Sequence, residues 1–243
     1  MRFKAKSFFL LICGIVLSGC LVRQADAVDA EVIAQAQVKL AKAAQTVEHQ
    51  SNEGVVMWLT RVETGAADPL PPVTTRTHFQ LAQKNKQFVP HMLVVPVGSV
   101  VDFPNLDPFF HNVFSRFDGK RFDLGLYESG SSRSVHFDRA GVSYIFCNIH
   151  PEMSAVVVTV PTPYFAASSS TGALVIHDVA PGTYDVHVWA MGSPEKSLDA
   201  LRHRISVSGR TVDLGAIALD VAGVPPHKNK FGEDYDKKPA VDY

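Results

Sequence analysis

Gly141-Val-Ser-Tyr-Ile-Phe-Cys147-Asn-Ile-His150-Pro-Glu-Met153 decides how this chain is read. Its first part alternates. Val142, Tyr144 and Phe146 point one way; Ser143, Ile145 and Cys147 point the other, which is the period of a β-strand. Asn148 onward reads as a short loop. A thiol, an imidazole and a thioether therefore meet at the end of one strand. Thiolate and thioether are soft ligands, and together with imidazole they suit copper. A trigonal copper site takes two His, one Cys and a long axial Met. The loop supplies one His. His111, in Asn105-Leu-Asp-Pro-Phe-Phe-His111-Asn-Val-Phe-Ser115, is the candidate for the second.

The alternatives are weaker. A buried core cysteine beside an ordinary turn histidine is the bland reading. Zinc is disfavoured, because a thioether is a poor partner for it and a structural site takes more Cys or His. His91, His136, His177, His187 and His203 fall in or near strand patterns and read as surface or satisfied core residues. The chain has no His-x-His pair of the kind that oxygen chemistry on several coppers would use, and no nucleophile elbow. The reading is of a protein that is not an enzyme.

With 243 residues there is room for one large or two small domains, and 46% apolar content allows a packed core without disulfide staples. The net charge is −1, and no basic stripe points to a nucleic-acid partner. Residues 1–27 read as an export leader. Arg2, Lys4 and Lys6 form a basic start, and Phe8 to Leu17 is an apolar stretch too short to span a membrane. Two processing sites compete. Leu17-Ser-Gly-Cys20 resembles a lipobox, which would make Cys20 a lipid-bearing N-terminus. Ala25-Asp-Ala27 resembles a signal-peptidase site. The lipobox is favoured as the more demanding pattern, and either route exports the chain. Cys147 is then the only thiol of the folded protein. An unpaired thiol in an oxidising compartment is either reactive or protected, and metal binding as thiolate would protect it.

Residues 28–53 show Ile33, Ala36, Leu40, Ala43 and Val47 at helical spacing, an amphipathic helix in which a short strand is the alternative. From Gly54 the pattern is short strands with turns between them: 54–62, 78–83, 88–96, 97–103, 111–117, 121–127, 134–138, 142–147 and 155–160. Pro90 and Pro96 argue for edge or bulge positions. Four further strands follow, at 173–178, 184–189, 203–208 and 211–219. This indicates an all-β chain of two sandwiches, 54–160 and 161–221. The charged tail 222–243 reads as poorly ordered or draped over the surface.

Gly98…Val101-Asp-Phe-Pro-Asn105…His111-Asn-Val, followed by Tyr144-Ile-Phe-Cys147-Asn-Ile-His150-Pro-Glu-Met153, resembles the cupredoxins over about residues 54–160. The short Cys-x-x-His-x-x-Met loop is most similar to amicyanin; the phrases around Phe109 and Phe122 are similar to plastocyanin-like proteins of the methylamine-utilisation type. The resemblance implies a Greek-key cupredoxin β-sandwich. It implies copper held by His111, Cys147, His150 and Met153, with Asn112 tying the His111 loop to the Cys147 loop. It implies a docking patch at Phe110, Ile149 and Pro151. Gly172-Ala-Leu-Val-Ile-His-Asp-Val-Ala-Pro-Gly-Thr-Tyr-Asp-Val-His-Val-Trp189 resembles a carboxypeptidase-regulatory-like β module. Glu152 departs from the loop pattern, as a carboxylate expected to lower the potential or meet a partner rather than to coordinate.

The function expected is one-electron transfer by an exported copper protein with a redox partner protein in the periplasm. Copper carriage or sequestration is the alternative from another class. A structural module with a redundant metal site is a third.

Overall fold

The computed structural model describes residues 29–40, 52–62, 78–116, 119–222 and 227–235. The expected leader, with Cys20 and both processing sites, lies outside the described residues. So do 236–243 of the tail. Among the described residues no helix is long and apolar enough to cross a membrane.

The fold is all-β. In chain order the strands are β1 (Ala30–Leu40), β2 (Val55–Arg61), β3 (His78–Gln80), β4 (Ala82–Lys84), β5 (Gln87–Val89), β6 (Met92–Pro96), β7 (Ser99–Pro104), β8 (His111–Ser115) and β9 (Phe122–Tyr127). There follow β10 (Ser132–Phe137), β11 (Gly141–Cys147), β12 (Ser154–Val160), β13 (Phe165–Ala167), β14 (Ala173–Val179), β15 (Gly182–Ala190), the short helix α1 (Glu195–Asp199), β16 (His203–Val207) and β17 (Thr211–Val221).

One sandwich faces β6-β12-β11-β8-β9 with β10-β7-β3, and the hairpin β4-β5 lies beside them. Its core holds Phe88, Val101, Phe103, Val113, Phe137, Ile145 and Val157, and Cys147 and Met153 belong to it. The other faces β14-β1-β17 with β13-β2-β15-β16. Val32, Met57, Leu59, Leu174, Tyr184 and Leu219 fill its core.

The helix expected in 28–53 is a strand where it is described. Ala30, Val32, Ala34, Ala36 and Val38 are buried while Glu31, Gln35, Gln37 and Lys39 are exposed, a period of two. β1 lies between β14, antiparallel, and β17, parallel. The pairing does not follow the boundary expected at 54, whereas no strand crosses 161. β2 pairs β15 and β13, not a strand of the first sandwich. The second sandwich is thus closed by both ends of the chain around the first.

β12 explains its own composition. Val157 packs into the first core, while Val156, Val158 and Val160 join Val56 and Val94 in a separate cluster with Trp58, Phe165 and Trp189. That cluster seats the two sandwiches against each other, so both faces of β12 and β2 are apolar. β6 ends at Pro96 on the edge of its sheet, where a residue without an N–H is tolerated.

Candidate metal centre

Strand register places the donors. Cys147, at the end of β11, is opposite Val113 of β8. Beyond the ladder the Asn148 N–H donates to the Asn112 carbonyl at 3.2 Å, so His111 arrives beside the loop that begins at Cys147. The loop folds back on itself. The Met153 N–H donates to His150 O (3.0 Å), and the Cys147 N–H donates to Met153 O (3.3 Å). His111, Cys147, His150 and Met153 are all buried.

Cys147 Sγ lies 3.6 Å from His111 Nδ1 and 3.6 Å from His150 Nδ1, and the two Nδ1 atoms are 3.2 Å apart. The centre of that triangle is about 2.0 Å from each vertex, within the range of metal–nitrogen and metal–sulfur bonds of about 2.0–2.3 Å. The structure thus brings His111, Cys147 and His150 together.

The His111 ring is held in a way that would suit a cation at Nδ1. His111 Nε2 donates to Asp107 Oδ2 at 2.9 Å, which leaves Nδ1 as a lone pair facing the triangle. Asp107 is buried, and it accepts the N–H groups of Asn85 (2.5 Å) and Lys86 (3.0 Å). Those two residues form the β4–β5 turn, both with φ near 55°, which aims their amides at the carboxylate. Burial raises the Asp107 carboxyl, but these N–H groups and the His111 ring outweigh it and the net shift is downward.

Burial lowers the His111 ring despite Asp107. It lowers His150 as well, and His111 adds to that. Burial pushes the Cys147 thiol up, against the backbone N–H groups of Asn112, Ile149 and His150 aimed at the sulfur. With His111 Nδ1 a lone pair, His150 Nδ1 at 3.2 Å faces it either as a second lone pair, which repels it, or as an N–H that donates to it and must lose its proton before a metal binds. A thiol proton can serve only one of the two nitrogens. A soft cation at the centre satisfies all three donors and takes the thiol as thiolate.

Asn112 joins the two loops through its backbone rather than its side chain. The side-chain Nδ2 donates to Asp123 Oδ1 at 2.7 Å, and its Oδ1 is buried with no partner among the described residues. Glu152 is exposed, and its charge bears on Cys147 and both rings without touching them.

His150 is only 6% exposed and sits at the base of a groove of about 410 Å³. Phe110 (51% exposed), Leu126 (57%) and Ile149 (41%) line it with Phe109, whose ring lies against both histidines. Phe110 and Ile149, two of the three residues expected to form an apolar patch, both line the groove. Pro151 is not in the groove lining; its carbonyl accepts from His227 Nε2 at 2.7 Å, on the side of the tail. Leu126 and Asp107 were missed. Asp107 lies four residues before His111 and is disguised as part of an Asp-Pro turn. Leu126 reaches the site only because β9 pairs with β8.

No family model matches the chain, and no curated protein does. Among solved structures, a purple cupredoxin from Nitrosopumilus maritimus is similar, with 24% identity, 34% of this chain and 99% of that one covered, and a TM-score of 0.31. An amicyanin mutant in the Cu(I) form gives 21% identity over 34% of this chain and 82% of that one, with a TM-score of 0.33. A copper-containing nitrite reductase from Thermus scotoductus gives 24% identity over 42% of this chain and 25% of that one, at 0.33.

Proposed function

We propose that this protein is an exported one-electron carrier whose redox centre is a copper ion held by His111 Nδ1, Cys147 Sγ and His150 Nδ1, with Met153 as the weak fourth ligand. One observation carries the reading: three soft or borderline donor atoms, all buried, share a centre at metal-bond distance from each. Copper bound there supplies a Cu(II)/Cu(I) couple, one electron at a time.

The chain supplies the rest. Asp107 fixes the His111 tautomer and its orientation. Three backbone N–H groups aimed at Cys147 Sγ favour the thiolate and withdraw charge from it. Two paired strands hold His111 and Cys147 in register, so the donors change position little when the charge of the site changes. Phe109 and the core exclude water. The apolar rim of Phe110, Leu126 and Ile149 suits weak, brief docking by a redox partner protein with His150 beneath the contact.

A redox titration of the copper-loaded protein tests electron transfer against copper carriage. A reversible one-electron couple, with copper retained through repeated reduction in the presence of a Cu(I) chelator, supports the carrier. Loss of copper to the chelator at the first reduction would favour carriage.

A further inference from the structure

The segment His227–Tyr235 has no hydrophobic alternation and forms no strand, yet it is bound to the metal loop at three points. The Tyr235 hydroxyl donates to the Cys147 carbonyl at 2.8 Å. The Lys230 N–H donates to Asn148 Oδ1 at 2.9 Å. His227 Nε2 donates to the Pro151 carbonyl at 2.7 Å, and its ring stacks on Phe146 at 3.9 Å with 17° between the planes.

Two anchors fix the segment to the first sandwich. Lys230 Nζ reaches Asp123 Oδ2 at 2.9 Å, and Arg116 Nη1 donates to the Lys230 carbonyl at 2.8 Å. The segment is also folded on itself. Asn229 Oδ1 accepts from the N–H groups of Phe231 and Glu233, and Gly232 closes the turn at φ +87°. A side chain at Gly232 would also crowd the Arg116 guanidinium. Ordering a polar segment costs entropy, and here the compensating contacts converge on one short loop.

Phe146 and Cys147 are consecutive in β11 and face opposite sides of the sheet. A segment stacked on Phe146 therefore supports the loop from the side away from the donor triangle, and none of its residues lines the groove at His150.

We propose that His227–Tyr235 is a positioning strap for the metal loop, with Tyr235 its principal clasp. It touches no donor atom. It holds the main chain at Cys147, Asn148 and Pro151, so the donor triangle is set before a metal arrives. This rests on the copper reading only for what the loop holds; the strap itself is a property of the metal-free chain.

The test uses the full-length, metal-free protein. Cys147 Sγ is buried, so its reaction with a thiol reagent requires the loop to open. Tyr235→Phe keeps the ring and removes one hydrogen bond. Asn148→Ala removes the acceptor of the Lys230 N–H. Each is expected to speed Cys147 modification about five-fold, the loss of one ordinary hydrogen bond. Amide exchange at Asn148 and Met153 should rise with it, while amides of β1, β14 and β17 stay unchanged. Once copper is loaded, the visible thiolate band of Tyr235→Phe should shift, which a merely stabilising contact would not cause. Thiol rates within two-fold of wild type in both variants would overturn the strap. So would exchange that rises equally throughout the molecule. A wild-type protein that shows no thiolate band would count against the copper reading, and the metal-free rates would still decide the strap.

Discussion

Asp107 is the residue on which the proposed centre most depends apart from its ligands. Its carboxylate accepts from His111 Nε2 and thereby keeps Nδ1 free to bind. Asp107→Asn preserves shape; its one oxygen can still accept from the Asn85 amide, while its NH₂ takes the place of Oδ2 and leaves the Lys86 amide without that acceptor. Its NH₂ then faces Nε2 and drives the ring proton to Nδ1, into the triangle. Copper affinity should fall about 10–100-fold, measured by competition with a chromophoric chelator. Unchanged affinity would remove Asp107 from the account. Met153→Leu conserves volume in a buried site, so stability should change by less than about 1.5 kcal/mol. The thiolate band should persist while the reduction potential moves, because the axial ligand tunes it. The three donors that the structure brings together, His111, Cys147 and His150, were legible because their types and spacing are informative without a fold. Asp107 was not, since what distinguishes it from any Asp before Pro is the turn at Asn85 and Lys86 that the fold brings to it.

At the scale of elements, β11 and β12 were legible and β1 was not. β11 alternates Val142, Tyr144 and Phe146 with Ser143, Ile145 and Cys147, and Ile145 and Cys147 do face the first core. β1 is rich in Ala and Gln, which fit a helix as well as a strand. Only its partners β14 and β17 select the period of two, by burying Val32 and Ala36. Leu174 packs in the same core, so Leu174→Ala should cost about 2–5 kcal/mol in denaturant unfolding without altering a copper spectrum.

The tail, read as poorly ordered or draped, is ordered over His227–Tyr235 by contacts to β9 and the loop that its composition does not announce. Asp123 of β9 carries one of them. Burial raises its carboxyl, but Lys230, Asn112 and the Gly125 N–H lower it more, and the net shift is down from 3.8. A depressed folded value means the contribution is complete above the unfolded value. It is lost as pH falls through the folded one, so the Lys230 anchor should hold through the ordinary carboxylate range and release only below it. Amide exchange of Lys230 measured down through that range checks this, and protection lost already above the ordinary carboxylate value would contradict the assignment.

In the molecule as a whole the two sandwiches are not separable by cutting the chain once. β1 and β2 precede the first sandwich, but their partners β13, β14, β15 and β17 follow it. A chain truncated after residue 161 leaves those two strands unpaired and exposes the Val156, Val158 and Val160 face. Such a chain should aggregate or associate, as seen by gel filtration and light scattering, rather than persist as a monomeric copper domain. A stable monomer would mean that the seam between the sandwiches contributes little. The all-β class and most strand positions could be read from alternation and turn chemistry. The order of pairing could not, because it rests on contacts between residues more than a hundred positions apart, such as Val32 with Val212.

The central claim is that Cys147, His111 and His150 hold one copper ion through the thiolate. The direct measurement is the visible spectrum of the copper-loaded protein, beside a Cys147→Ala control loaded in the same way. The account predicts an intense thiolate-to-copper band that reductant bleaches, that reoxidation restores, and that the control lacks. Copper bound equally by the control, with no such band in either protein, would contradict it.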